Sequence, residues 1–400
     1  MMLPLGIDRI SALPDEMLIH ILSFLPTKSA FATTVLSKRW TPLFHSLTAV
    51  YFDDEGVEDE KTCGRFIRFV DTILRVQQQP IKTFHLMLTR FELCKDLRFN
   101  VNRWVKAANQ RGVENIELST SRCAARLFFS FFTSQTLVVL KLNRFYMGSH
   151  DFESIDLPSL KILQLIDTEF LQKEDFKKLL SGCPILVDLY ARVKFLSDRN
   201  NDNPGYKTMP KLEKACITQL DVPFTVIYNV EFLRIEQMER RYKDKYINSY
   251  YRGMPDFQNL ISIELTFASF HGWVDVVEVL PYCPKLQSLA IEKGDEYVQF
   301  YQKWAHAKEP VPECVSLHLT TCSIKNFDSW DDFEFAEFIL QNARFLQAME
   351  LCSALSVEEN EKQLFLKQFS RSPRLSPTCK IYLDTEEINQ QEHEKVIRAA

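Results

Sequence analysis

The chain has 400 residues, of which 46% are hydrophobic and 25% are charged, so it can form more than one domain with a sizeable core. Its 48 basic and 53 acidic residues leave a formal net charge of -5. That balance argues against a dedicated nucleic-acid-binding protein, which usually concentrates basic charge on one face. Glycine is scarce, and neither a glycine-rich phosphate loop nor a glycine-flanked serine nucleophile occurs. The histidines and cysteines lack metal-ligand spacing, so we expect the protein to bind no metal and no cofactor and not to be an enzyme. A catalytic site assembled from distant residues is the open alternative.

The cysteines run from Cys63 to Cys379 without a C-x-x-C pair. The start of the chain has neither a basic leader nor a long apolar segment. The longest apolar stretch, residues 127–132, falls far short of the ~20 residues that a membrane helix needs. We therefore expect reduced thiols in a protein of the cytoplasm, the nucleus or both, with no membrane partner.

The first fifty residues have the pattern of three short helices. Pro14 suits a first helical turn because its missing N–H costs nothing there, and two acidic residues follow it at the positive end of the helix dipole. Apolar residues then recur at the spacing of one helix face until Pro26 ends this helix. A second predicted helix runs to Leu36, and a third begins after Ser37. Such a small unit carries more large apolar side chains than it can bury, so a partner or the rest of the chain must cover them.

Residues 8–28 and the later Val-Leu-Ser-Lys-Arg-Trp at 35–40 resemble the F-box motif in its plant form, and the resemblance covers about residues 7–53. F-box proteins dock this three-helix unit on a Skp-family adaptor, which binds a cullin scaffold, so the resemblance implies those two partners. By the same resemblance, the candidate adaptor-binding or supporting residues are Leu13, Pro14, Leu18, Ile21, Leu22, Leu25, Pro26, Val35, Leu36, Trp40 and Leu43. For each of them, plain core packing is an equal alternative because both roles use apolar residues.

Two residues depart from the family pattern. Phe44 stands where the family often has a second tryptophan. Pro42 lies inside the third predicted helix, where a proline removes a hydrogen bond and clashes with the preceding turn. We therefore expect the third helix to restart at Pro42 with Thr41 as its cap, and the adaptor contact there to be weaker or altered.

From about residue 80 to 320, apolar residues recur at positions 1, 4 and 6 of a short motif, with spacings of 23 or 26 residues between clear copies. Periods in this range are typical of leucine-rich repeats, in which each repeat gives a strand and a return segment. The return segments 173–180 and 273–280 have helical patterns and lead into a shared Cys-Pro-x-Leu sequence. The copies are Leu137/Leu140/Leu142, Leu160/Leu163/Leu165, Leu260/Ile263/Leu265 and Leu286/Leu289/Ile291, with weaker ones at Leu212/Ala215/Ile217 and Val230/Leu233/Ile235.

These copies resemble the leucine-rich repeats found behind many plant F-boxes, with long polar loops expected at 194–208 and 239–256. Residues that flank the inward-pointing pair would form an exposed strand face, which repeat proteins commonly use for binding. The candidate substrate-binding residues on that face are Lys141, Asn143, Gln164, Arg234, Glu236, Glu264 and Glu292. Their mixed charge favours a protein or peptide partner, and an inert solvated face is the alternative.

The pattern changes after about residue 310. Alternation at Val315, Leu317 and Leu319 predicts a strand; helices are predicted over 330–344 and 357–370, and strands over 346–351 and 379–383. Segments 335–344 and 372–381 are similar to the FBD domain that accompanies plant F-boxes. We expect this region to cap the last repeat and the tail to be polar.

The predicted fold is α/β, with a three-helix F-box at 7–53, an irregular leucine-rich-repeat solenoid of one strand plus one helix per repeat at 80–307, an α+β FBD cap at 308–385 and a polar tail at 386–400. The resemblance implies a non-catalytic substrate-recognition subunit of an SCF-type ubiquitin ligase that binds an unknown protein substrate. An F-box scaffold or binding module acting outside a ligase is the alternative. A small-molecule ligand is neither supported nor excluded.

Overall fold

The chain divides into two compact units, Met1–Leu186 with Tyr190–Lys207 (unit 1) and Val187–Leu189 with Thr208–Ala400 (unit 2). The computed structural model describes residues 10, 12–77, 79–90, 97–121, 125–126, 131–148, 154–197, 207–218, 222–238, 254–267, 273–294, 311–354 and 357–385. The predicted loop 239–256 lies largely outside these ranges, as do most of 194–208 and all of the tail 386–400.

Unit 1 begins with the predicted three-helix unit, made of α1 (Asp15–Ser23), α2 (Thr27–Ala32) and α3 (Trp40–His45), with a 3-10 turn at Thr33–Val35. Pro14 and Pro26 stand immediately before α1 and α2, in the extended conformation that suits a helix start. Arg39, directly before α3, links this helix to the start of α1. Its Nη2 donates to the Leu13 carbonyl at 2.7 Å and to Asp15 Oδ1 at 2.6 Å.

The expected restart of the third helix at Pro42 is wrong. Helix α3 begins at Trp40, so Pro42 is its third residue. The first four N–H groups of a helix have no partner within the helix, and the missing N–H of Pro42 therefore breaks no bond. The Pro42 carbonyl accepts from the Ser46 N–H at 3.1 Å, as in a regular helical turn.

The remaining elements of unit 1 form a parallel ladder with helices between some of the strands. In chain order they are β1 (Ala49–Asp53), α4 (Glu60–Val76), β2 (Thr83–Leu88), α5 (Leu97–Gln110), β3 (Asn115–Thr120), β4 (Ala125–Arg126), β5 (Val139–Asn143), β6 (Phe145–Met147), β7 (Ile162–Phe170), α6 (Lys173–Ser181) and β8 (Asp188–Phe195), which runs across the division between the units. Strands β1, β2, β3, β5 and β7 pair in that order, and β6 joins β4 to β7. The described residues between β3 and β7 contain no helix, so the repeat is irregular, as predicted.

Two buried columns run across the ladder of unit 1. Every second residue of each strand faces the core because successive strand side chains point to opposite faces. The repeat register predicted from Leu140, Leu142, Leu163 and Leu165 is therefore confirmed. The columns are Val50, Phe84, Ile116, Leu140 and Leu163, and Phe52, Leu86, Leu118, Leu142 and Leu165.

Unit 2 contains a second parallel ladder, in which seven strands pair in chain order. Its elements are β9 (Lys214–Thr218), a 3-10 turn at Phe224–Val226, β10 (Phe232–Met238), β11 (Ser262–Phe267), α7 (Val274–Val277), a 3-10 turn at Leu280–Tyr282, β12 (Ser288–Glu292), α8 (Glu313–Leu317), β13 (Thr321–Phe327), α9 (Trp330–Asn342), β14 (Ala348–Ser353), α10 (Glu359–Phe369) and β15 (Lys380–Thr385). The predicted inward positions of β9 to β12 pair with one another and are buried: Ala215, Ile217, Leu233, Ile235, Ile263, Leu265, Leu289 and Ile291.

The C-terminal elements continue this ladder. The helices predicted over 330–344 and 357–370 and the strands predicted over 346–351 and 379–383 correspond to α9, α10, β14 and β15. The strand predicted from Val315 to Leu319 is wrong, because Glu313–Leu317 is helix α8. Pro312 precedes α8 in an extended conformation and its carbonyl accepts from the Val315 N–H at 3.0 Å, so a helical turn starts here and the strand follows at β13.

The expectation of reduced thiols needs one correction. Seven described cysteines form no disulfide, but Cys63 in α4 is disulfide-bonded. None of the helices in the described part of the chain is long and apolar enough to cross a membrane.

Candidate functional site

The predicted adaptor-binding residues divide into three groups by burial. The buried ones are not available to a partner unless the three-helix unit unfolds. Leu18, Leu22, Trp40 and Leu43 are buried, Leu13 and Leu25 are half-buried, and Pro14, Ile21, Pro26, Val35 and Leu36 are exposed.

Of the exposed large apolar side chains in the three-helix unit, we name five the exposed apolar group. They are Met17 and Ile21 on α1 and Phe24 directly after it, with 49%, 41% and 74% of their surface exposed, and Val35 and Leu36 after α2, with 85% and 66% exposed. Exposed apolar side chains gathered on one small unit mark an interaction site. Met17 and Phe24 were missed in the sequence analysis, although their spacing with Ile21 is that of a second helix face beside the one that buries Leu18 and Leu22.

Phe44 belongs to the core of the three-helix unit. It is 1% exposed, and its ring lies 5.4 Å from that of Phe31 in an edge-to-face contact. A tryptophan here would need a partner for its indole N–H, which a phenylalanine does not. The phenylalanine in place of the family's tryptophan therefore affects the packing of the F-box core and not the exposed apolar group.

The three-helix unit is attached to the first strand of unit 1. Buried Thr27 of α2 accepts a 2.7 Å hydrogen bond from the Tyr51 N–H of β1 through its Oγ1. Phe69 of α4 lies 6.0 Å from Phe31 and 6.1 Å from Phe52, measured between ring centroids. These contacts hold the exposed apolar group in a fixed position relative to the strands of unit 1.

The strand face of unit 1 carries Lys141, Asn143 and Gln164 on the neighbouring strands β5 and β7. Lys141 pairs in register with Gln164 on one side and Glu117 on the other. The Asn143 Oδ1 atom is buried and accepts no hydrogen bond from the described residues. All three predicted residues are half-buried on one continuous face, where a partner can reach them.

A charged cluster that the sequence analysis missed adjoins Asn143. Arg144 and Asp167 both adopt left-handed backbone conformations, with φ of 62° and 48°. Arg144 Nε lies 3.6 Å from Asp167 Oδ2, while Arg192 Nε donates to Asp167 Oδ1 at 2.8 Å. Non-glycine residues in this conformation are strained and cluster at functional sites. The three residues meet only because neighbouring strands pair in register, so their spacing in the sequence does not indicate the cluster.

The strand face of unit 2 brings three of the predicted residues together. Arg234 Nε lies 3.4 Å from Glu236 Oε1, and Arg234 Nη1 lies 3.4 Å from Glu264 Oε2. Burial alone would lower the pKa of Arg234, but Glu264 and Glu236 raise it above its ordinary value, so the guanidinium stays charged. Glu292 instead lies 3.9 Å from Lys325 Nζ on β13.

In the described parts of the two units, the acidic, histidine and cysteine side chains bear on two kinds of chemistry, metal binding and nucleophilic attack by a thiolate. No three His, Cys, Asp or Glu side chains there gather as a metal site would require. Burial raises the pKa of Cys183 to about 12 and that of Cys314 to about 11, so neither thiol forms a nucleophilic thiolate at neutral pH.

Comparisons with known families match three separate stretches of the chain. Residues 10–47 match the F-box domain, residues 101–199 match the LRR repeats of the FBD-associated F-box protein At5g56370, and residues 308–351 match FBD. The F-box implies binding to a Skp-family adaptor in general, and F-box and repeat domains together support a substrate-adaptor role in SCF-type ligases in general.

Several proteins of Arabidopsis thaliana are similar to this chain. The F-box/FBD/LRR-repeat protein At5g56420 is 28% identical over 94% of this chain and 99% of its own length. The F-box/FBD/LRR-repeat protein At4g00160 is 29% identical over 86% of this chain and 85% of its own. The putative F-box/LRR-repeat protein At5g41840 is 35% identical over 57% of this chain and 43% of its own. Stretches that match an F-box, leucine-rich repeats and an FBD domain follow one another in this order, so the chain has the domain organisation of plant F-box/leucine-rich-repeat/FBD proteins.

Proposed function

We propose that this chain is the non-catalytic substrate-recognition subunit of an SCF-type ubiquitin ligase, acting in the cytoplasm or the nucleus. Its F-box binds a Skp-family adaptor and, through it, a cullin. Its strand faces bind the protein to be ubiquitinated. Ubiquitin transfer is then accelerated by proximity, because the receptor holds a substrate lysine near the charged ubiquitin carrier.

The observation that carries this proposal is the exposed apolar group. Its side chains are well exposed on the F-box, while the F-box core is complete without them, since Leu18, Leu22 and Phe44 are each at most 1% exposed. Burying large apolar side chains against a partner is favourable by ~25 cal/mol per Å² of apolar surface removed from water. A protein partner that covers this group is therefore the simplest reason for its exposure.

The strand faces support the substrate part of the proposal. They present charged and polar side chains at fixed spacing, with Lys141 and Gln164 in unit 1 and Arg234 and Glu264 in unit 2. Such rows suit a protein surface or an extended peptide, whose side chains meet the rows at fixed spacing.

Proximity labelling in plant cells tests the substrate part. We expect the wild-type chain to label one or a few proteins that accumulate when the proteasome is inhibited. Lys141→Glu on the strand face of unit 1 should reduce this labelling. So should Ala290→Arg on that of unit 2, where Ala290 pairs in register with Glu264. Lys161→Glu provides the matched control, because Lys161 is an exposed loop residue outside the strand face.

Two outcomes would contradict the substrate part. One is a set of labelled proteins whose abundance is unaffected by proteasome inhibition. The other is undiminished labelling by both strand-face variants, which would move the recognition surface elsewhere.

We also propose the domain boundaries 7–53, 80–307 and 308–385, with the tail at 386–400, except that the F-box ends before Ala49 and the repeat region starts there and not at 80. Strand β1 pairs with β2 in the parallel ladder, and α4 connects them. This pairing supports a repeat region that begins at Ala49, so that the F-box leads directly into the first strand.

A further inference from the structure

A cavity of about 350 Å³ lies in unit 1 between the F-box and the first repeat. Its walls come from α2, the end of β1, the loop that follows β1, and α4. This volume is within the range of pockets that hold small molecules, roughly 300–1,000 Å³. None of the adaptor-binding or strand-face roles above involves it. The lining residues are Lys28, Tyr51, Phe52, Asp53, Asp54, Gly56, Val57, Thr62, Arg65, Phe66 and Phe69.

The walls of the cavity are largely aromatic. Phe52 is buried, whereas Phe66 and Phe69 are half-buried and keep part of their rings open. Neighbouring rings hold these two in place: Trp104 lies 6.0 Å from Phe66, and Phe31 lies 6.0 Å from Phe69, both measured between centroids. A fixed aromatic wall favours a ligand with a flat apolar body.

Several polar groups of the cavity are already used within the protein. The Asp54 carboxylate accepts from the Thr89 N–H at 2.7 Å, the Thr89 hydroxyl at 2.8 Å and the Arg90 N–H at 2.7 Å. Thr62 forms a capping box with Asp59 at the start of α4. Asp54 and Thr62 therefore stabilise the walls of the cavity, and other lining residues would contact a ligand.

Two cations lie on the rim without a close ion pair in the described residues, although the pKa of Asp59 is lowered by the hydrogen bonds of its capping box and, to a smaller extent, by the nearby charge of Arg65. Lys28 and Arg65 are exposed, and neither forms an ion pair within 4.0 Å with any acid in the described part of the chain. Asp53 is the single exposed acid that lines the cavity, and its Oδ1 accepts from the Glu55 N–H at 3.3 Å. The two cations attract an anionic group, while Asp53 disfavours a ligand with several negative charges.

We propose that this cavity binds a small organic monoanion with a flat apolar body, whose ring lies against Phe66 and Phe69 and whose anionic group lies between Lys28 and Arg65. Such a ligand would bridge α2 of the F-box and α4 of the first repeat. The proposal is independent of the proposed function, because it concerns neither the adaptor nor the substrate surface.

Binding of 2-naphthoate to the purified full-length chain, measured by isothermal titration calorimetry, tests the proposal. We expect saturable binding, with 2-naphthamide, which has the same ring and no charge, binding about tenfold more weakly. Lys28→Ala with Arg65→Ala should weaken naphthoate binding about tenfold or more and leave amide binding unchanged. The matched control is Lys61→Ala with Arg68→Ala, two exposed cations of α4 that do not line the cavity.

Gly56→Phe provides a second variant that removes space and keeps the charge. A Cβ at Gly56 would meet only Lys28 Nζ, at 3.9 Å, so the added ring should enter the cavity without disturbing the backbone. Loss of naphthoate binding in this variant, with an unchanged thermal unfolding midpoint, supports the proposal. Absent binding to the wild type, equal binding of acid and amide, or undiminished binding by both variants would overturn it.

Discussion

Replacing Lys293 by methionine is expected to lower the free energy of unfolding of unit 2 by about 3–5 kcal/mol, because it leaves a buried carboxylate without its partner. The Lys293 side chain is 3% exposed, and its Nζ lies 2.6 Å from both Asp328 Oδ1 and Asp332 Oδ2. Asp332 is itself fully buried and accepts from the Trp273 Nε1–H at 3.2 Å. The network joins β12, the segment before α7 and the start of α9, so one substitution weakens three elements.

The pH dependence of this loss follows from the same network. Burial alone would lower the pKa of Lys293, but Asp332 and Asp328 raise it above its ordinary value of 10.5. A lysine whose pKa rises on folding contributes stability below its unfolded pKa and loses it as pH rises through the folded one. Burial raises the pKa of Asp332, and the charge of Lys293 opposes this rise. When Lys293 is replaced, its charge no longer opposes the effect of burial, so the pKa of Asp332 rises further. The deficit of Lys293→Met should therefore shrink as pH falls through the raised pKa of Asp332, which then becomes neutral.

Urea unfolding of the wild type and Lys293→Met at several pH values measures both effects. Lys293→Met combined with Asp332→Asn is the control, because it removes the unpaired charge and keeps an oxygen that can accept the hydrogen bonds donated by the Asp328 and Ser329 N–H groups to Asp332 Oδ2. The double variant should regain part of the lost stability, because its amide nitrogen takes the place of Asp332 Oδ1 and cannot accept from the Trp273 Nε1–H. A single variant as stable as the wild type, or a deficit that grows on acidification, would contradict this account of the network.

Phe24→Asp combined with Val35→Asp should abolish measurable binding of a Skp-family adaptor, with an affinity loss of ~100-fold or more, because we place both residues among the anchors of the interface. Each change places a charge where we propose that an apolar side chain is buried by the partner. Both residues are well exposed, at 74% and 85%, so the F-box should still fold. Calorimetry gives the affinity, and a thermal melt checks the fold.

Phe99→Asp is the matched control for that pair. Phe99 is as exposed as Phe24, at 76%, but it lies on α5, outside the F-box. The control should bind the adaptor like the wild type. If the Phe24/Val35 variant binds the adaptor as tightly as the wild type, the proposed docking surface is wrong. If Phe99→Asp weakens binding as much as the double variant does, the loss is a general effect of surface charge.

The structure also determines which substitutions are informative. Leu18 and Leu22 were candidate docking residues from the sequence, but their exposure is 0% and 1%. Aspartate at either position would put a charge in the F-box core and unfold it. Loss of adaptor binding in such a variant would say nothing about docking. Sequence spacing identified an apolar helix, but it could not assign its two apolar faces to core and surface.

The repeat register was predictable because it depends on side-chain alternation alone. Leucines at positions 4 and 6 of each motif point to the core in any strand, and the pairing Leu140↔Leu163 and Leu142↔Leu165 follows when strands stack in register. The helices α9 and α10 were predictable for a similar reason, since their apolar residues recur at helical spacing.

Features that depend on contacts between distant residues were not predictable. Trp273 and Asp332 are 59 residues apart, and nothing in their local sequence indicates that they meet. The cavity likewise needs Lys28 of α2 and Arg65 of α4, which come together only through the packing of the F-box on β1. Helix α8 was misread because three alternating apolar residues are too short a pattern to outweigh the helix start after Pro312.

The most direct test of the ligase role is the mass of the complex that forms when the full-length chain, a Skp-family adaptor and a cullin are mixed, measured by size-exclusion chromatography with light scattering. The account predicts one species that contains one copy of each of the three proteins. A stable complex of chain and adaptor that excludes the cullin would contradict the ligase role and favour a scaffold acting outside a ubiquitin ligase.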